Sequence, residues 1–205
     1  MDIIKSISYD QIEIISNILK LHCACDIELD PCYSKGNFYK ASIKEPMYKF
    51  DINPLSGIRY GDCRDLPFQD NTFHTIMFDP PFLATTGKSL LIQNESNKIN
   101  KRFGVYNSEK ELYSMYCDSM DEFYRLLRAS GILIFKCQDK VSSGKQYWYH
   151  VDIINYARSI GFELKDLFVL LAKNRMVANW QMTGQRNARK FHCYFLVFQK
   201  KRSSI

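Results

Sequence analysis

Apolar positions along this chain fall into segments of two periods. Ile12, Ile14, Ile15, Ile18, Leu19 and Leu21 recur at near-helical spacing behind Ser8, a residue able to cap a helix. Short extended pieces follow at residues 26–29, 48–52 and 58–62, the last ending on the acid Asp62. After Pro67 and the polar turn Gln69-Asp70-Asn71, residues 75–78 read as a buried strand. Residues 84–108 are polar and without period, which predicts a long loop of the kind that binds or covers a ligand.

A second helix is expected from about 108 to 129, with Leu112, Met115, Met120, Phe123, Leu126 and Leu127 along its apolar stripe. Gly131 should stop it, and residues 132–135 form the next strand. A loop at 139–146 leads to a helix at 151–159, which ends at Gly161. Then come a strand at 166–171, a basic loop at 173–190 and a final strand at 191–199. Strands alternating with helices, closed by two late strands around a loop, predict an α/β fold: a mostly parallel sheet with an antiparallel edge strand. No repeat or linker divides residues 1–205, so one domain is expected.

Composition changes the picture little. Apolar residues at 46% and aromatic residues at 14% argue against disorder. A net charge of +6 permits an anionic partner without requiring one. The seven cysteines, at 23, 25, 32, 63, 117, 137 and 193, show no Cys-x-x-Cys pair, and Cys23-Ala24-Cys25 falls where a buried strand should begin. They read as reduced core thiols, with no metal site. No leader pattern and no apolar run of about 20 residues is present. The expectation is a soluble, cytoplasmic protein.

The chemistry concentrates in Phe78-Asp79-Pro80-Pro81-Phe82, directly after a hydrophobic strand. In open α/β sheets ligands bind beyond the carboxyl ends of strands. Each proline disfavours helix for the residue before it, so the segment is a rigid ledge that turns the Pro80 carbonyl outward. That carbonyl and the Asp79 carboxylate are acceptors matched to the two N–H donors of an aromatic amine. Phe82 offers a face for a stacked base.

This segment resembles the motif of amino-methyltransferases that carry Asp/Asn/Ser-Pro-Pro-Tyr/Phe/Trp, among them DNA adenine-N6 and cytosine-N4 enzymes and certain RNA base methyltransferases. Gly61-Asp62-Cys63-Arg64-Asp65-Leu66-Pro67-Phe68, with the strand and Asp-Pro-Pro core after it, is similar to the stretch that leads into that motif. The resemblance implies a Rossmann-like methyltransferase fold and S-adenosylmethionine as cofactor. By the same resemblance Asp51 holds the ribose hydroxyls, Ile52 lies beside it, and Asp62 and Cys63 face the adenine side. The cofactor loop is Asp30, Pro31, Cys32, Tyr33, Ser34, Lys35 and Gly36, with Ser34 where the family has its first glycine. A serine serves there if its φ stays negative.

Basic residues gather in two loops: Lys88, Lys98, Lys101 and Arg102 after the ledge, and Lys173, Arg175, Arg186, Arg189 and Lys190, with Trp180, before the last strand. Both could grip phosphates while a flipped base enters the site. Lys136, Gln138 and Asp139 are candidates for the rim of the site; His192 reads as a core histidine, and His74 and His150 show no partner pattern. The expected reaction is direct methyl transfer to an exocyclic amine, adenine N6 in DNA first, with Asp79, Pro80, Pro81 and Phe82 as the catalytic ledge. The alternatives are an RNA base amino-methyltransferase, a non-catalytic, nucleic-acid-binding subunit and, disfavoured by the motif and the basic loops, a small-molecule or protein-amine methyltransferase. Sequence specificity would come from the two loops or from a partner protein, or be slight; a partner subunit or a homodimer is the assembly to expect.

Overall fold

The computed structural model describes residues 3–40, 42–84, 106–174 and 186–202. The chain begins with β1 (Ile7–Ser8), α1 (Gln11–His22) and three short strands, β2 (Leu29–Asp30), β3 (Tyr48–Asp51) and β4 (Arg59–Tyr60). β5 (Phe73–Phe78), α2 (Glu109–Leu126) and β6 (Leu127–Cys137) come next. The hairpin β7 (Lys140–Ser142) and β8 (Lys145–Tyr147), then α3 (Tyr149–Ser159), β9 (Phe162–Leu171) and β10 (His192–Lys200), complete it.

The main sheet has the order β1-β9-β10-β6-β5-β2-β3-β4. From β4 to β6 every pairing is parallel. β10 inserts antiparallel between β6 and β9. The expected α/β class with an antiparallel late strand is what forms. Chain order reverses between β2 and β5, and that switch point opens a crevice at the carboxyl ends of the strands.

Both faces of the sheet are covered, and the period-2 alternation of the strands assigns each side chain to one of them. Ile76, Phe78, Leu133, Phe135, Leu196 and Phe198 pack with Leu112, Tyr116, Phe123 and Ile153 of α2 and α3. Met77, Ile132, Ile134, Phe195 and Val197 pack with Ile14, Ile15 and Ile18 of α1 and with Phe38, Tyr39 and Ile43. Those last three residues fill, from irregular backbone, the space a helix between β2 and β3 would occupy.

Five local expectations change. Asp10, and not Ser8, caps α1 by accepting from the Ile12 N–H, while Ser8 is drawn to Glu13. Cys23 closes α1 and Cys25 is exposed before β2, so this pair does not open a buried strand. Ser108 caps α2 as read, but the helix ends at Leu126 and the chain enters β6 at once. Gly131 lies inside β6, where the pairing with β5 jumps from Phe73↔Leu127 to Thr75↔Ile132 and Ser130 has φ 65°. A Cβ on Gly131 would come within 2.9 Å of the Arg128 carbonyl oxygen, so the glycine serves a bulge, not a helix stop. Residues 139–146, read as loop, contain the β7–β8 hairpin, turned by Ser143 and Gly144 at φ 49° and 77°. Positive φ at both turn positions matches the twist of the two strands. Among the described residues no helix is long and apolar enough to cross a membrane.

Candidate active site

At the carboxyl ends of β2 to β5 lies a cleft of about 650 Å³, counting its open mouth. It is lined by Pro31, Cys32 and Ser34 after β2, and by Asp51, Ile52 and Asn53 at the end of β3. Gly61, Asp62, Cys63 and Arg64 close it after β4, Asp79 and Pro81 after β5, and Tyr106 and Met115 from the α2 side. Residues from four consecutive strand ends thus converge at the switch point.

Asp51 organises the floor. Its two carboxylate oxygens accept from the main-chain N–H groups of Ser34, at 3.0 Å, and Asn53, at 2.8 Å. A carboxylate oxygen has two lone pairs, so each retains capacity for a hydroxyl. Asp62 is gripped through its side chain by Arg64, with a closest approach of 2.6 Å, and that guanidinium holds the carboxyl below its usual range. The Cys32 and Cys63 thiols hydrogen-bond to each other, which pushes Cys32 up and, with a 3.2 Å contact to the Ser119 hydroxyl, holds Cys63 down.

Asp30, Tyr33 and Gly36, expected beside the cofactor, do not line the cleft. Asp30 is fully buried beneath it, accepting from the Tyr39 hydroxyl at 2.6 Å and the Cys32 N–H at 3.0 Å. Burial, against those two donors, raises its pKa from 3.8 to about 7. Tyr33 stacks on Tyr39 at 5.2 Å and donates to Glu45. Gly36, at φ 59°, allows that packing, since a Cβ there would strike the Tyr33 ring.

Ser34 does not keep a negative φ: it stands at 51°, the left-handed conformation a glycine adopts freely. Its N–H reaches Asp51 only because of that turn. A left-handed conformation costs a residue with a Cβ about 1–2 kcal/mol. Ser34→Gly is therefore expected to stabilise the chain by about 1 kcal/mol, a rise in Tm of roughly 2–4 °C by calorimetry. An unchanged or lower Tm would show that the serine hydroxyl offsets the strain.

Of the ledge, Asp79 and Pro81 line the cleft, whereas Pro80 is buried and Phe82, half-buried, lies outside that lining. The segment is held through its carbonyls. The Tyr116 hydroxyl donates to the Pro81 carbonyl at 2.7 Å, and Lys140 Nζ donates to the Phe82 carbonyl at 2.7 Å. Lys140 is in turn paired with buried Glu109 at 2.9 Å. Lys136, on β6, places its ammonium 3.4 Å from the Asp79 carboxylate and 5.9 Å from the Phe82 ring centre. Of the suggested rim residues, then, Lys136 reaches the ledge. Asp139 is buried and paired with His150 at 2.8 Å, and Gln138 donates to the His192 carbonyl. His150 and His74 therefore have acidic partners that spacing did not show, while His192 lies 2.9 Å from the Tyr194 hydroxyl.

Arg64, Asn53, Tyr106, Met115, Tyr116 and Lys140 were not read from the sequence as site residues. Arg64 was legible in principle, two residues from the acid it grips. The α2 residues carried only a helical stripe, and nothing local says that Tyr116 turns its hydroxyl to the ledge. Lys88, Lys98, Lys101, Arg102, Arg175 and Trp180 lie outside the described residues. Lys190 covers Trp148 at 4.4 Å, Lys173 covers Tyr9 at 5.4 Å, Arg186 is exposed and Arg189 half-buried.

The fold has solved relatives. A Bacillus halodurans C-125 protein assigned as a methyltransferase superposes with TM-score 0.51 at 12% identity, over 92% of this chain and 99% of its own. The [4+2]-cyclase SpnF superposes with TM-score 0.51 at 14% identity, over 91% of this chain and 80% of its own. A Thermus thermophilus protein assigned as a DNA modification methylase matches 78% of this chain at 16% identity and TM-score 0.47. This chain spans 56% of that protein's length. No family model and no curated protein matches the sequence. The chain has the Rossmann-like methyltransferase fold. A cyclase on the same fold shows that architecture alone does not set the reaction, which has to be argued from the site.

Proposed function

We propose that the cleft binds S-adenosylmethionine and that the chain transfers a methyl group to an exocyclic amine of a nucleic-acid base, adenine N6 in DNA first. One observation carries this: Asp51, Ile52, Asp62, Cys63 and Asp79, drawn from separate strand ends, line a single cleft. The donor set fits the cofactor. Asp51 has lone pairs left for a pair of ribose hydroxyls, and Pro31, Ile52, Pro81 and Met115 give apolar walls. Bound there, the cofactor supplies an electrophilic methyl carried on a sulfonium.

The chain's own part is positioning. Asp79 and the Pro80 carbonyl accept the two N–H bonds of the amine, which draws its lone pair out of conjugation and aims it. Phe82 stacks on the base. As the new N–C bond forms, the amine sheds one proton, and Asp79 stands ready to take it toward solvent. Tyr116 and Lys140 keep the ledge from yielding, so most of the rate comes from fixed geometry and prearranged charge.

Lys136 favours a particular edge. A carboxylate beside an ammonium complements an amine donor beside a ring acceptor, which adenine offers with N6 and N1 and cytosine with N4 and N3. Guanine N2 has a ring N–H on one side, which an ammonium opposes. RNA adenine is the second reading, supported equally by this edge; the non-catalytic subunit is opposed by a ledge whose Pro81 and Phe82 carbonyls are each held by a side-chain donor. The test is transfer of labelled methyl from the cofactor to unmethylated DNA and to bulk RNA, followed by nucleoside digestion. N6-methyladenine from DNA supports the first reading, label in RNA alone moves the substrate, and no label with no calorimetric cofactor binding removes the enzyme.

A further inference from the structure

At the end of the sheet opposite the cleft, where β2 and β5 begin, three side chains of different chemistry converge. Cys25 Sγ, a Glu28 carboxylate oxygen and a His74 ring nitrogen all lie within 4.8 Å of one another. We propose that they form a binding site for a thiophilic divalent cation, Zn2+ by chemical class, with solvent in the fourth position. This goes beyond the methyl-transfer reading and does not depend on it.

The backbone builds the cluster. Glu28 donates its N–H to the Thr75 carbonyl, and β2 runs parallel to β5 with Leu29 beside Ile76. That register places Glu28 against the start of β5. Its Oε2 accepts the main-chain N–H groups of His74 and Thr75. The other oxygen, Oε1, is thereby turned toward His74 Nδ1, 3.5 Å away. Cys25 Sγ comes in from the α1–β2 connection, 3.6 Å from the Thr75 hydroxyl. Glu28 is thus oriented by the main chain before any cation arrives, which reduces the ordering that binding requires.

The distances suit the ion. Zinc–ligand bonds of about 2.0–2.3 Å in a tetrahedron put ligand atoms roughly 3.3–3.8 Å apart. A spread of at most 4.8 Å closes to that by small rotations of Cys25 and His74, both exposed. A thiolate with an imidazole selects Zn2+ or Co2+ over Mg2+ or Ca2+, which prefer all-oxygen sites. Without a cation, burial and the nearby Glu28 and Asp26 charges hold the Cys25 thiol up, against the lowering bond to Thr75. On binding, the S–H bond breaks, an S–metal bond forms and the proton passes to solvent; nothing is oxidised or reduced. Cys23 also hydrogen-bonds to Thr75, but burial raises its thiol to about 12, and it stays protonated in the core. The site would clamp the α1–β2 connection to β5 and act on stability without touching the cleft.

The full chain, cleared of metal by chelator, would be titrated with Co2+ and then Zn2+ while absorption is followed. Expected are a single Co2+ per chain, visible bands of a tetrahedral ion and a near-ultraviolet thiolate-to-cobalt band, all erased by Zn2+. Cys25→Ser should abolish the near-ultraviolet band, and His74→Gln should weaken Co2+ binding at least tenfold. Circular dichroism of the metal-free variants should match the parent, since both residues are exposed. Cys117→Ser, on α2, should leave the spectrum intact. A thiolate band that survives Cys25→Ser, an unchanged affinity in His74→Gln, or binding too weak to saturate at millimolar Co2+ would each overturn the site.

Discussion

Asp79→Ala is expected to lower methyl transfer by about 10²–10³-fold, the usual loss when one prearranged polar partner of a transition state is removed. The carboxylate faces the cleft and is oriented by Lys136 at 3.4 Å, so its position is set before substrate arrives. Cofactor affinity should change only a few-fold, because Asp51 and the strand ends after β2 and β4 line the rest of the cleft independently. Asp79→Asn provides the control. It keeps volume and one acceptor oxygen, and should fall between parent and alanine variant. Single-turnover transfer, with calorimetric titration of the cofactor, separates the two quantities. Full transfer by the alanine variant would mean that the amine is held elsewhere. Equal loss of transfer and cofactor affinity would assign Asp79 to the cofactor instead.

The second large effect is structural. Glu109→Ala is expected to destabilise the fold by about 3 kcal/mol, at the low end for breaking a buried ion pair because Lys140 keeps some solvent contact. Glu109 is 5% exposed and accepts from both Lys140, at 2.9 Å, and the Tyr149 hydroxyl, at 2.6 Å. Without it the Lys140 ammonium is left half-desolvated, with the Phe82 carbonyl as its one close acceptor among the contacts described. Chemical unfolding should show the midpoint fall, and transfer should fall with it as the ledge loses its fixed support. Adding Lys140→Met should restore much of the stability, since an apolar chain in that place leaves no charge unpaired. Recovery of stability without recovery of transfer would identify Lys140 as a positioning residue. A single variant within about 1 kcal/mol of the parent would disprove the burial argument.

Local pattern was enough for some of this and not for the rest. The α/β class followed from strands that alternate with helices. The unbroken apolar runs of β5, β6 and β10 marked them as buried strands, and in the structure both faces of their sheet are covered. The ledge was legible because two prolines restrict backbone whatever surrounds them. Asp51, Asp62 and Cys63 were legible through resemblance, and they do converge on the cleft with Asp79. Asp30, Tyr33 and Gly36 share the cofactor-loop pattern yet pack below or away from it, because Phe38, Tyr39 and Ile43 replace a helix and pull the loop into the core.

What the sequence determined by itself was therefore of short range: periodicity, backbone restriction and turn chemistry, each set by neighbours a few residues apart. Tertiary structure decided the rest. It brought Lys136 to Asp79, Tyr116 and Lys140 to the back of the ledge, and His74 to Cys25 and Glu28. Apart from the short Cys25–Glu28 step, these partners stand 35 or more residues apart in the chain. Strand register and helix packing, which no local spacing encodes, fix which of their side chains meet.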